Sequence, residues 1–234
     1  MASDYAHPVA LVSTEWIAAP LDDPAARLLE VDVNTTVYEH GHIPDAVGVN
    51  WTPELSHCIR HDIIDRPGWE ALRRHAGVTL EIHLVFSSDN NWFAAYAYWI
   101  ARISGHPRAS LMNGGRKKWE LEGRPLMTAL PTISPTRYQA QEPDLRWRAF
   151  QREVLAYVGA PAEQVLADVR SPAEFSGEVI FPPGMTETPS GPGTSPGPRT
   201  FLGHRQSTRS GPSRAWSSCA SSTPARGSPQ SKTW

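Results

Sequence analysis

Cysteine is nearly absent: two in 234 residues, Cys58 and Cys219. Two distant thiols make neither a disulfide framework nor a cysteine metal cluster. No apolar run approaches the length of a bilayer span. The N-terminus, Met1-Ala2-Ser3-Asp4-Tyr5-Ala6-His7-Pro8, lacks the basic stretch and apolar core of a secretory signal. Charge of one sign is lacking too: the formal net charge is −2, which gives no electrostatic reason to expect nucleic acid or an anionic membrane as partner. These absences place the chain in the cytoplasm as an expectation. What is present is an ordinary globular composition, 40% hydrophobic and 20% charged, enough to build a core. The 9 tryptophans and 22 prolines are both many, and the prolines crowd toward the C-terminal end.

Up to about residue 180 the pattern is alternating α/β. Ser13 or Thr14 can cap a helix near Glu15-Trp16-Ile17. Leu28-Leu29-Glu30-Val31-Asp32-Val33 reads as a buried strand. Trp69 and Leu72 fall at helical spacing within 68–75, and Gly77 can stop that helix. Leu84-Val85-Phe86 is a second strand. It runs through Ser87-Ser88-Asp89-Asn90-Asn91 into an apolar helix from Trp92 to Ile103. Ala109-Ser110-Leu111-Met112 is a third strand, closed by the turn Asn113-Gly114-Gly115. Strands alternating with helices predict a mainly parallel sheet with helices on both faces.

A stretch rich in Pro, Thr and Ser then reads as a linker, and the pattern restarts. An amphipathic helix is predicted from Phe150 to Val158 and a strand over Val165-Leu166-Ala167-Asp168-Val169-Arg170. Like Leu29-Glu30-Val31-Asp32-Val33, that strand closes on an Asp-Val pair. Ser171-Pro172-Ala173-Glu174 follows as an N-cap, a first-turn proline and an acidic first turn. An internal repeat is expected. The domain reading is 1–126 for a first unit, 127–149 for a linker, 150–188 for an incomplete second unit and 189–234 for a disordered tail.

From Pro189 onward Ser, Pro, Gly, Thr and Arg dominate and hydrophobic periodicity vanishes. By composition alone this is a disordered tail. The genetic code permits a sharper reading. With one nucleotide gained or lost near Thr188, each original codon is the last base of one codon plus the first two of the next. The codons permitted for Pro189 through Pro198 then allow Gln-Arg-Ala-Gly-His-Ile-Pro-Gly-Ala, and those through Gly203 allow x-Asn-Val-Pro-Trp. The first half of the chain holds Gly41-His42-Ile43-Pro44-Asp45-Ala46-Val47-Gly48-Val49-Asn50-Trp51 in the same register. Shifted back, Lys232-Thr233-Trp234 reads Asp-Val and begins a further Val, a fitting start for a buried strand. The tail is therefore read as out of frame.

The chain resembles the rhodanese family, in particular two-domain thiosulfate sulfurtransferases of actinobacterial type. The stretches that carry the resemblance are 90–99, Asn-Asn-Trp-Phe-Ala-Ala-Tyr-Ala-Tyr-Trp; 114–126, from Gly114-Gly115-Arg116-Lys117-Lys118-Trp119 to Leu126; 168–177, from Asp168-Val169-Arg170 to Gly177; and 184–188. The resemblance implies tandem rhodanese-like domains, the second incomplete here. It implies an activity that passes sulfur from thiosulfate to a thiophilic acceptor, cyanide or a thiol, through a cysteine persulfide, with no cofactor. It places the cysteine in a strand–loop–helix of the second domain, where loop N–H groups and a helix N-terminus favour negative charge. In the first domain Asp89, followed by Asn90 and Asn91, occupies the equivalent loop. A carboxylate cannot carry a persulfide, so that half resembles the family's silent domain. The interval from Gly41 to Asp89, laid from Gly193, runs past Trp234. No catalytic residue is therefore assigned within the chain, and the product is expected to be inactive. The competing reading is a non-enzymatic module that binds anions or a protein partner.

Several residues have two readings at this stage. Arg170 resembles an anion-binding arginine, and equally suits an ion pair with Asp168 or Glu174. Cys58, in Leu55-Ser56-His57-Cys58-Ile59, reads as incidental more readily than as a nucleophile supported by His57 or His61. Cys219 lies in the shifted tail. His40-Gly41-His42 reads as a structural turn and not as a metal site. Arg116, Lys117 and Lys118 read as a solvated basic helix face. Asp32 and Asp168, at strand ends, are expected to fix loops by hydrogen bonding. The second unit is expected to be unstable, with chain after Pro183 irregular.

Overall fold

The computed structural model describes residues 7–19, 26–57, 62–157, 166–168, 170–179 and 200–202. Cys58, His61, Cys219 and most of the tail lie outside them. The chain divides into two compact units, with the boundary at Val165/Leu166.

The first unit alternates strand and helix. Its strands are β1 (Leu11–Val12), β2 (Ala26–Asp32), β3 (Val47–Asn50), β4 (His83–Ser87) and β5 (Ala109–Met112). Its helices are α1 (Thr14–Ala18), α2 (Thr36–His40), α3 (Trp51–Leu55), α4 (Arg66–His75), α5 (Trp92–Ile103), α6 (Gly115–Leu121) and α7 (Gln151–Tyr157). The sheet order is β1-β5-β4-β2-β3, every pair parallel. The α/β expectation holds, with both faces of the sheet covered.

Alternation along the strands explains the two layers. Leu29 and Val31 of β2 and Leu84 and Phe86 of β4 face one core with Leu55, Trp69, Ala94, Ala97 and Ile100 of α3, α4 and α5. Leu28 and Val85 face the other with Ile17 of α1 and Trp119 of α6. Glu30 has the parity of Leu28, so a carboxylate enters the second layer, 3% exposed.

Local signals set the helix ends. Ser13 accepts the Trp16 N–H at 3.1 Å, and Asp65 accepts that of Gly68 at 3.0 Å. Gly77 and Gly105, at φ +69° and +68°, follow the ends of α4 and α5. Gly115, expected in a turn, is instead the first residue of α6.

The Pro- and Thr-rich stretch expected to link two units is fastened to the first. Tyr138 and Ala140 are 2% and 4% exposed and join the core of α4 and α5. The Tyr138 hydroxyl meets His106 Nδ1 at 3.2 Å, while His106 Nε2 lies 2.9 Å from the Ile82 carbonyl. A carbonyl only accepts, so Nε2–H donates to it and Nδ1 accepts from Tyr138. Burial pulls the His106 pKa down to about 4, which keeps the ring neutral.

The second unit contains β6 (Leu166–Asp168), α8 (Pro172–Ser176) and β7 (Thr200–Leu202), with β6 and β7 parallel. Ser171 and Glu174 form a reciprocal capping box, with Pro172 in the first turn. Thr200–Leu202 lie within the tail expected to be irregular, and here they form a strand.

Candidate functional site

The candidate site of the first unit is the loop between β4 and α5, at the carboxyl end of the central strands, where open parallel sheets place their ligands. Asn91 closes it in the left-handed region, φ +64°, which Asn tolerates better than most side chains. Its amide explains the position: Oδ1 accepts the Ser88 N–H at 3.3 Å and Nδ2 donates to the Met112 carbonyl at 2.8 Å. Asn90 Oδ1 accepts the N–H of Trp92, first residue of α5, at 3.1 Å. A Cβ on Gly115 would stand 2.5 Å from the Ser88 carbonyl and 2.7 Å from Asn91 Oδ1, so only glycine lets α6 start against this loop.

Beneath the loop lies a charged cluster. Arg116, 4% exposed, donates from Nη1 to Glu30 at 2.6 Å and from Nε to Glu120 at 2.8 Å, and its Nη2 donates to the Gly41 carbonyl. Its backbone N–H donates to the Ser88 carbonyl at 3.1 Å. Asp89, expected to stand in place of the thiol, lies 3.9 Å from Arg116 Nε with its carboxylate half exposed. The solvated-face reading of residues 116–118 fails at Arg116. Helical periodicity turns that side chain inward from α6 onto Glu30, while Lys117 is exposed and Lys118 pairs with Glu122 at 3.3 Å.

Burial raises the Glu30 pKa even against Arg116. Burial lowers and Glu120 and Glu30 raise that of Arg116, which ends above its usual value. Asp32, at the end of β2, is pushed up to about 7, by burial first and then by Asp89 and Glu30, with the Asp89 backbone N–H working the other way. Sequence reasoning missed this cluster. The available signal was Glu30, one acid inside the apolar run Leu28 to Val31.

Arg170 lies in the second unit. Its guanidinium clasps Asp168, with Nε at 3.0 Å from Oδ1 and Nη2 at 2.7 Å from Oδ2, and its backbone N–H donates to Oδ1 at 3.1 Å. The arginine hydrogen bond holds the Asp168 pKa below its usual value. Of the two readings of Arg170, the ion pair is the contact seen. Asp168 thus fixes the turn before α8. His42 is fully buried between the Tyr38 and Ala129 carbonyls, both 3.1 Å away, and stacks on Tyr38; this is a structural role.

A family profile described as Rhodanese-like domain matches residues 13–122. The chain is 43% identical over 173 residues to a protein of Saccharopolyspora erythraea named as a thiosulfate sulfurtransferase, covering 74% of this chain and 60% of that protein. A protein of Mycolicibacterium smegmatis with the same name is 41% identical over 189 residues, covering 80% of this chain and 67% of the relative. The sulfur carrier protein TtuD of Thermus thermophilus is 41% identical over 182 residues, with 76% and 64% covered. The chain thus spans between 60% and 67% of the length of these relatives. Among solved structures, SseA from Escherichia coli, from work on 3-mercaptopyruvate sulfotransferases, superposes with a TM-score of 0.64 at 22% identity. That match covers 73% of this chain and 69% of SseA. Tum1 from Saccharomyces cerevisiae superposes at 0.62 and 19% identity, covering 80% and 68%. At such identities these structures speak for the fold alone.

Proposed function

The chain belongs to the rhodanese family, and from that premise we propose that its gene specifies a tandem thiosulfate:acceptor sulfurtransferase whose reading frame shifts near Thr188, leaving this product without the sulfur-carrying cysteine. In the full reaction a cysteine thiolate attacks the outer sulfur of thiosulfate. The S–S bond breaks, sulfite leaves with the electron pair, and a thiolate or cyanide then takes the outer sulfur from the persulfide. The first unit acts as a scaffold, because Asp89 holds the position of the nucleophile. Arg170 would serve the thiosulfate anion in the completed second domain and is held by Asp168 until then.

The observation that carries the reading is the repeat. Asp32 precedes α2 and Gly41 by the same intervals at which Asp168 precedes α8 and Gly177. In the first unit β2 pairs with β3 so that Asp32 faces Asn50; in the second β6 pairs with β7 so that Asp168 faces Leu202. Beyond Gly177 the second unit carries a longer stretch before the shifted-frame match of Gly41 to Gly193, and that match puts Asn50 and Leu202 at one position. Among the described residues the anion-binding alternative finds no spare cation at the first unit's loop, since Glu30, Asp32, Asp89 and Glu120 surround one guanidinium there. Sequencing the gene across the Thr188 codon and beyond that of Trp234 tests the proposal. A neighbouring frame encoding a cysteine-bearing loop after a buried strand supports it, and a neighbouring frame without one ends it.

A further inference from the structure

The cluster under the 88–91 loop has a charge imbalance unconnected with sulfur transfer. Each edge of the Arg116 guanidinium is already engaged, by Glu30, by Glu120 and by the Gly41 carbonyl. β2 and β4 run parallel with Glu30 beside Ser87, so two residues further on Asp32 stands beside Asp89. The charged groups facing Asp32 are Asp89 from the loop, Glu30 from its own strand and Arg116 from α6; the Asp89 backbone N–H also donates to the Asp32 carboxylate, but is outweighed. Asp32 makes no ion pair among the described residues. Two neighbouring carboxylates, one half-buried and without a cation of its own, are most cheaply reconciled by a proton.

We propose that the 88–91 loop is a proton-linked latch: it stays closed over Arg116 while Asp32 is protonated, and loosens when Asp32 ionises beside Asp89. Opening hydrates Asp32 and returns it toward the ordinary carboxylate range. The closed state therefore binds the proton more tightly and is favoured at low pH. That advantage is complete below the ordinary carboxylate pKa and is lost as pH rises through the closed-state value of about 7. Between those limits the closed-to-open ratio falls about tenfold per pH unit, and above them it is level. The loop ends at Trp92, itself half exposed, so its looseness reaches the first turn of α5.

Amide hydrogen exchange on the whole chain, corrected for the intrinsic pH dependence, tests this. Protection over residues 88–92 is expected to fall about a hundredfold from pH 5 to pH 7 and to become flat over that range in Asp32→Asn. Flat protection in the unmodified chain, or the same slope in Asp32→Asn, overturns the proposal. Should Asp32→Asn fail to fold, Asp89→Asn and the carboxyl-carbon NMR signal of Asp32 give a second reading. Its titration midpoint near 7 should drop when Asp89 loses its charge, and an unchanged midpoint overturns the latch.

Discussion

Asp32 and Asp168 each close a strand and stand at the same distance from a five-residue helix and the glycine after it, yet their pKa values are shifted in opposite directions. Asp168 is only 8% exposed and its pKa is lowered; Asp32 is half-buried and rises to about 7. Burial is the first cause at Asp32, with Asp89 and Glu30 adding to it. At Asp168 the charge-assisted fork from Arg170 outweighs burial, whereas Asn34, at the matching place after Asp32, offers no charge. Backbone spacing sets where a carboxylate sits, and the burial and charges around it set whether it keeps its proton.

The largest effects should come from breaking the charged cluster that distinguishes the first unit. Arg116→Met leaves Glu30 buried without its cation and should cost about 3–5 kcal/mol in denaturant unfolding, whereas Glu30→Leu, which leaves Arg116 bonded to Glu120, should cost less. The double replacement Glu30→Leu with Arg116→Met should cost less than the sum of the two single changes, and strict additivity would show that the pair is not coupled. Tyr138→Ala should cost about as much as other buried aromatic truncations, 3–5 kcal/mol. A loss of unfolding free energy below about 1 kcal/mol would mean that the Pro-rich stretch is a free linker after all.

The comparison is sharpened by making the units alike. Asn34→Arg gives Asp32 the partner that Asp168 has. The Asp32 midpoint should then fall by roughly 1–3 pH units from about 7, read by carboxyl-carbon NMR. A raised folded-state pKa withdraws stability as pH climbs from the ordinary carboxylate range to about 7, so the variant should also lose that decline in its melting curves. The smallest effect is expected at the cap of α8. Ser171→Ala should weaken the turn by about 1 kcal/mol, visible as faster exchange of the Glu174 amide.

Much of the fold is legible in the sequence because the strands are short, apolar and bounded by glycine or polar turns. Trp92 to Ile103 forms a helix over the span its apolar run predicts, and Ser171 caps where its spacing from Glu174 says it should. The loop at Asp89 is equally readable. The charged layer beneath it is not, because Glu30 and Arg116 lie 86 positions apart and meet only once the sheet brings β2 next to β4 and folds α6 over them. Local pattern gives Arg116 two lysine neighbours and so a solvated face; tertiary packing turns it inward. Tyr138 was hidden for a similar reason: proline and threonine around it argue for an open segment, while its buried partners, His106 and Trp69, lie far from it in the chain.

The most direct test of the account is thiocyanate formation from thiosulfate and cyanide, measured side by side for this chain and for a chain with its frame restored after Thr188. We expect turnover only from the restored chain, abolished by replacing the cysteine of its new strand–helix loop with serine. Turnover by the present chain that disappears in Cys58→Ala, or an inactive restored chain, would contradict it.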